Sequence, residues 1–334
     1  MDTNDIKMMD ALFKAYNTAF SRAMRDSSAN RDGTHGVMLD EIANTITSNT
    51  GTTEHAWLNQ IASMRQWIGE RVIRTLDFGL LKVTNLDYEN TVEVGVNSVE
   101  DDQYGLFTPL IAAMGDACGR LWMELAVKAL VSQSNWADGF AFFAKNRRLS
   151  TEQTALITNG TTATFDDAAV RAALVTMQSY MLARDAPAQV TPRYILVGPS
   201  LMDKAQWLFE RELTVNPSGG TPTVSNTMKG RLVVRVSNLL VGEHAGKWFI
   251  LAEKSGVKAV SVQKRGEPKL VRRDRPEDDN VFWKNKIYYG AKARGAAFCT
   301  LPFLAFGGGL ADVPDATVGL PGVPKPEPET PPAG

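Results

Sequence analysis

The strongest constraint on this chain is a long run of apolar residues at helical spacing across residues 108–131. Leu110, Ile111, Met114, Cys118, Leu121, Trp122, Leu125, Ala129 and Leu130, with Phe107 just ahead, recur every three or four positions, which predicts an amphipathic helix. Thr108 stands where a cap would sit, and Pro109 follows at the first helical position, where a missing N–H costs nothing. On another face Asp116, Arg120, Glu124 and Lys128 stand four apart. Each such pair contributes only ~0.2–0.5 kcal/mol, and together they mark an exposed ridge. At about 1.5 Å per residue the segment makes a rod of roughly 36 Å, far longer than the mean globular helix of about 11–12 residues. A rod of that length requires an extended surface to lie on; it would also serve as the backbone of an ordinary α/β domain.

With 334 residues the chain is large enough to bury a sizeable core and to divide into two or more lobes. Hydrophobic residues make up 44% and charged ones 22%, the balance of a folded soluble chain. A net charge of -1 offers no strong field to nucleic acid or anionic lipid. Cys118 and Cys299 lie in apolar surroundings and read as reduced core residues rather than a disulfide framework. No apolar run of roughly 18 residues exists, so no membrane span is predicted. The opening MDTNDIK lacks the positive start and apolar core of an export signal.

Residues 5–24 carry a second helical pattern in Met9, Leu12, Phe13, Tyr16, Phe20 and Met24. The stripe is narrow, so this helix needs a partner, either its own chain or a neighbour. Residues 27–51 read as an irregular polar arm, long enough to be functional. Residues 56–76 are dense with Trp57, Leu58, Ile61, Met64, Trp67, Ile68, Val72, Ile73 and Leu76, with Arg65, Glu70, Arg71 and Arg74 between them. Core packing is the plainer reading of both tryptophans. Residues 80–86 and 91–99 read as two strands around a turn at 87–90, with Val92, Val94 and Val96 on one face. A hairpin alone is marginally stable, so it either joins a sheet elsewhere in the chain or projects onto another subunit.

Residues 165–181 predict a helix capped by Asp166 or Asp167, with Val170, Leu174, Met177 and Met181 as its stripe. A short strand at 193–197, a Gly198-Pro199 turn and a helix from Ser200 to about 213 make one α/β step, which places a smaller lobe at roughly 185–250. Strands are expected at 232–236, 248–252 and 257–263, with strand-like sequence again at 281–289 and 291–304. After Gly307 the chain turns rich in proline, from Pro314 to Pro332, a composition that extends rather than packs.

A chemical centre does not emerge. His35, His55 and His244 sit apart in polar segments, away from either cysteine, so no metal site is predicted. The fragment at 242–247 (GEHAGK) is one residue short of a phosphate loop and has Trp248 where a Ser or Thr belongs. No G-x-S-x-G elbow occurs, and neither cysteine sits in an activating motif. Arg272, Arg273 and Arg275 could touch phosphate, but Asp274, Glu277, Asp278 and Asp279 cancel their field. Alternating charge of this kind suits a bridge to a neighbouring subunit or an internal salt-bridged loop. No catalytic residue and no cofactor is assigned.

The run from Trp57 through Gln60-Ile61 to Trp67-Ile68-Gly69-Glu70-Arg71, then DYENTVEV at 87–94 and EDDQYG at 100–105, resembles the major head subunit of Mu-like phages and prophages. YGAKARGAA at 289–297, with Leu301-Pro302, is similar to that family's C-terminal strand. The resemblance runs from about residue 10 to 309 and implies an α+β chain of the HK97-like capsid fold. It implies an N-terminal arm at 1–55, a region with a projecting β-hairpin loop at 56–102, and a peripheral domain at 103–184 that contains the spine helix. An axial domain at 185–250, return strands at 251–309 and a proline-rich tail at 310–334 complete the layout. Copies would tile as hexamers and pentamers into an icosahedral shell around packaged DNA, without sequence-specific binding and without a membrane. Scaffold, portal and decoration proteins would be its further partners. Contacts between subunits are expected from Met9, Phe13, Phe20, Trp57, Trp67, Arg71, Val92, Val94, Arg272, Arg273, Arg275 and Asp278. On this reading the hairpin and the N-terminal helix complete their burial on sister molecules. A phage tube or decoration subunit, or a soluble α/β enzyme with a site between its lobes, are the alternatives.

Overall fold

The computed structural model describes residues 3–29, 34–58, 78–100, 105–149, 153, 155–182, 186–215, 223–275 and 277–317. Helix α1 (Thr3–Ala29) leads through the single turn α2 (Leu39–Ile42) into strand β1 (Ala43–Thr47). Strands β2 (Thr52–Leu58) and β3 (Phe78–Thr84) pair with each other, and β4 (Leu86–Gly95) runs on to the short helix α3 (Val96–Glu100) and the spine helix α4 (Phe107–Val131). The middle of the chain holds α5 (Asp167–Gln178), β5 (Thr191–Val197), α6 (Met202–Phe209), β6 (Leu213–Val215), β7 (Thr223–Ser225) and β8 (Val233–Val236). The return passes through β9 (Trp248–Lys254), β10 (Val257–Lys258), β11 (Val260–Arg273), α7 (Asp279–Lys284), β12 (Lys286–Cys299) and β13 (Ala305–Gly308).

The long strands form a four-stranded sheet in the order β1-β11-β12-β4, parallel between β1 and β11 and antiparallel elsewhere. Along β12 the buried residues Ile287, Tyr289, Ala291 and Ala293 alternate with more exposed ones, the period of a half-covered strand. What covers this face is α4, the extended partner its apolar stripe demanded. Gly295 lets the helix approach: a Cβ there would stand 2.7 Å from the Trp122 ring and 2.4 Å from the Gln263 carbonyl oxygen. Gly105, at φ +64°, turns the chain directly into α4, whose first residue is Phe107. Thr108 therefore lies inside the helix and does not cap it.

The second sheet runs β10-β9-β5-β8, with β13 on β9. In β9 five successive residues, Trp248 to Ala252, are buried, the mark of a central strand covered on both faces. Helix α5 packs on β5, and Asp166 caps it as expected, accepting from the Ala169 N–H at 2.7 Å. This sheet draws β10, β13 and the end of β9 from beyond residue 250, so it extends past the lobe read from 185–250.

Several expectations are corrected. Of residues 27–51, expected as an irregular arm, 27–29 end α1 and 39–47 form α2 and β1, an edge strand of the main sheet, while 30–33 lie outside the described residues. The strands expected at 80–86 and 91–99 do not pair with each other. Residues 87–90 lie within β4, which forms a ten-residue ladder with β12, while β3 pairs with β2. The hairpin is thus β2–β3, and the turn-forming residues at 87–90 yield to long-range pairing. Residues 281–284 form helix α7 rather than strand. Most important, α1 finds its partner in its own chain. It lies along α4 and buries Met9, Tyr16 and Phe20 in a second core with Ile111, Met114, Ile287 and Tyr289.

Candidate contact surfaces

The hairpin grows from a buried polar clasp. Gln263, fully buried on β11, donates its amide to Asn85 Oδ1 at 2.7 Å, and its Oε1 meets His55 Nε2 at 2.5 Å. Asn85 in turn donates to Ser48 Oγ at 3.1 Å and to the Thr50 carbonyl at 2.8 Å. His55 stacks on Phe298 with ring centroids 4.8 Å apart. The Gln263, Asn85, His55 and Ser48 side chains tie β11 to the root of the hairpin and to the residue after β1. Buried polar groups of this kind are costly once a partner is removed, by about 1–3 kcal/mol. Gln263→Ala is expected to lower the urea unfolding free energy by that amount, because it strips Asn85 Oδ1 of its donor and His55 Nε2 of its partner together.

A second clasp holds α1. The Arg272 guanidinium lies 4.3 Å from the Phe13 ring and donates to the Met9 carbonyl at 3.2 Å, to Asp274 at 3.0 Å and to Asp10. Its hydrogen bond holds the Asp10 carboxyl below its ordinary range. Burial pushes Asp274 upward, against the pull of Arg272. Tyr16 meets Tyr289 edge to face at 5.5 Å in the same corner. Six charged or aromatic groups, Asp10, Phe13 and Tyr16 on the helix and Arg272, Asp274 and Tyr289 opposite, thus lock helix to sheet.

A third cluster organises the irregular segment after α4. Arg147 and Asp138 are both wholly buried, with Nε to Oδ2 at 2.6 Å. The remaining guanidinium N–H groups donate to the carbonyls of Phe142 and Ala141, each at 2.6 Å, and the Trp136 ring lies 5.2 Å away. Burial lowers the Arg147 pKa, while Asp138 pulls it back up. The same segment carries the C-terminal stretch on its edge: Lys145 N–H donates to the Pro314 carbonyl and Ala316 N–H to the Lys145 carbonyl, each at 2.9 Å.

Of the residues expected at contacts, Met9, Phe20 and Val94 are buried in the chain's own second core, and Phe13 and Val92 pack against it. In this conformation Met9, Phe20 and Val94 are already covered and Phe13 and Val92 half-covered, because α4 and β12 supply apolar surface that a neighbour was expected to supply. Arg272 is committed to the α1 clasp, while Arg273 and Arg275 are exposed. Asp278 accepts from the Arg275 N–H at 3.0 Å and closes a turn. Trp57 lies on β2 opposite Gly79 in the hairpin ladder; Trp67 and Arg71 lie outside the described residues. The reading from sequence missed Arg147, Asp138, Gln263 and Asn85. Their only signal there is polarity amid apolar runs.

Among the described residues no group of three or more His, Cys, Asp and Glu converges. The histidines are dispersed: His35 beside Glu210 at 3.4 Å, His55 in the hairpin clasp, and His244 beside Glu243 at 3.2 Å. A groove of about 970 Å³ lies between the end of α1, the segment before β1, and α4. It is lined by no histidine or cysteine, and its Asp116 and Arg120 already pair with each other.

A spine helix backing a long-stranded sheet, a hairpin rooted on that sheet and a second mixed sheet define an α+β subunit of the HK97-like capsid fold. The solved capsid of a native GTA particle shares it, with a TM-score of 0.52 at 10% identity, over 84% of this chain and 93% of that one. The profile of the family described as Mu-like prophage major head subunit gpT matches residues 9–166 and 232–310, and the chain belongs to that family. The unmatched interval holds α5, β5, α6, β6 and β7. The chain is 31% identical over 134 residues to the Mu-like prophage FluMu major head subunit of Haemophilus influenzae, covering 40% of this chain and 42% of that protein. It is 24% identical over 261 residues to the major capsid protein of Escherichia phage Mu, covering 77% of this chain and 62% of that one. These matches span less than two thirds of either relative's length.

Proposed function

We propose that this chain is the shell-forming subunit of a Mu-like tailed phage or prophage, and that its copies tile as hexamers and pentamers into a closed icosahedral shell around double-stranded DNA. The observation that supports this most is the reach of the family match, which takes in α1, the hairpin root, the spine and the returning strands together. The work is mechanical. Backbone ladders of ten pairs or more and a braced spine resist deformation. A net charge of -1 suits a wall that encloses DNA without gripping particular sequences. Scaffold, portal and decoration proteins are the partners such a shell calls on, and the virion capsid is where the chain would reside. No helix among the described residues is long and apolar enough to cross a membrane.

With the apolar stripe of α1 covered within the subunit, the exposed loop carrying Arg273 and Arg275 is a surface open to neighbours; Trp67 and Arg71 lie outside the described residues. Sedimentation of the purified full chain tests the proposal. Fast-sedimenting particles of uniform size are the expected result; single chains at micromolar concentration under every assembly condition would refute it.

A further inference from the structure

Helix α7 carries the most exposed large apolar side chains among the described residues, Phe282 at 70% and Trp283 at 76%. Their rings meet edge to face with centroids 4.9 Å apart. The turn that presents them is braced. Asn280 is buried and donates its amide to the Arg273 carbonyl at 3.0 Å and to the Lys286 carbonyl at 2.7 Å. Asn285 closes the helix in the left-handed conformation at φ 52°, and its amide donates to Asn97 Oδ1 at 2.9 Å. Val281 packs inward on the second core. The aromatic pair is therefore held out on a fixed platform, at the tip where β11 gives way to β12.

We infer that Phe282 and Trp283 form an anchor that buries against a second copy of this chain when subunits assemble; the inference rests on the shell-forming reading above. The charges around the pair select that occupant. Arg273, Arg275 and Lys284 stand with Glu277 and Asp279, all exposed. A polyanion or a lipid surface calls for one positive field, which this mixture cancels. A second copy of the same loop brings a counter-charge for each sign. Area decides what kind of contact it is. Two aromatic side chains offer on the order of 300 Å², well short of the ~800 Å² per partner buried in a stand-alone complex. The pair is thus one anchor among several contacts in a lattice, with the polar residues as its rim.

The test compares assembly of the purified full-length wild type with the Phe282→Ser/Trp283→Ser variant, whose changes lie at the surface. The variant is expected to unfold at the wild-type urea midpoint and to need at least tenfold more protein before particles form. Particles at an unchanged threshold would overturn the inference. A second measurement reads the site directly, as the difference in tryptophan emission between wild type and Trp283→Phe. That difference is expected to shift to the blue and lose iodide quenching on assembly; emission that stays solvent-exposed in particles would overturn the inference by itself. A wild type that forms no particles would instead bring down the shell reading, and this inference with it.

Discussion

Replacing Arg147 with methionine is expected to destabilise the chain by about 3–5 kcal/mol, the usual result of stripping the partner from a buried ion. Methionine fills much of the same volume, so the loss is electrostatic rather than a cavity. Asp138, with none of its side chain exposed, would keep a carboxylate with no counter-charge, and the Ala141 carbonyl would lose its donor. The Phe142 carbonyl would keep one, since the Asn159 amide also reaches it at 3.0 Å. Arg147→Lys should recover only part of the loss, because an ammonium cannot serve Asp138 and two carbonyls in the planar fork that guanidinium offers. Urea unfolding of the two single variants and of Arg147→Met/Asp138→Leu makes the check. The double variant should be more stable than Arg147→Met alone, since it removes the stranded charge. Equal stability of Arg147→Met and wild type would show that the pair contributes nothing.

The second large effect concerns two glycines on the spine. A Cβ on Gly115 would stand 2.3 Å from the Phe20 carbonyl oxygen, and one on Gly119 would stand 2.4 Å from that of Met24. The obstacles are backbone atoms of α1, so no side chain can swing aside. Two effects of Gly→Ala then oppose each other. Helix propensity favours alanine by about 1 kcal/mol, while overpacking against a rigid neighbour costs about 1–3 kcal/mol per site. The clash should win, and with valine at both positions α1 should lift off and uncover Met9, Tyr16 and Phe20. Each such side chain is worth ~1.5–3 kcal/mol when buried. The expected result is rapid protease cleavage within residues 3–29, with the two sheets intact. Protection equal to wild type would mean that α1 is not seated on those glycines.

The spine helix and the strand at β5 were legible from local periodicity, and α5 from periodicity together with its Asp166 cap. Pairing was not. β3 and β4 are separated by Asn85 alone, and two adjacent β-rich runs look like one hairpin until β12 is known to ladder the whole of β4. Asn85 is the residue that turns the chain from hairpin to sheet, and its side-chain bonds reach residues far away in sequence. Helix α7 was misread for a related reason. Val281, Phe282 and Trp283 have strand propensity, yet the turn at Asp278 and the left-handed Asn285 enclose a single helical stretch. The narrow stripe of α1 suggested a neighbouring subunit; the four-residue spacing of Gly115 and Gly119 was the sign that a helix already lay against the spine. Arg147 stands between Lys145 and Arg148, so its charge alone does not mark it as the buried one.

Electron microscopy of the purified, assembled chain measures the central claim most directly. The account predicts closed, uniform shells tens of nanometres across, built from six-fold and five-fold clusters of subunits. Open tubes, or single chains that never associate, would contradict it.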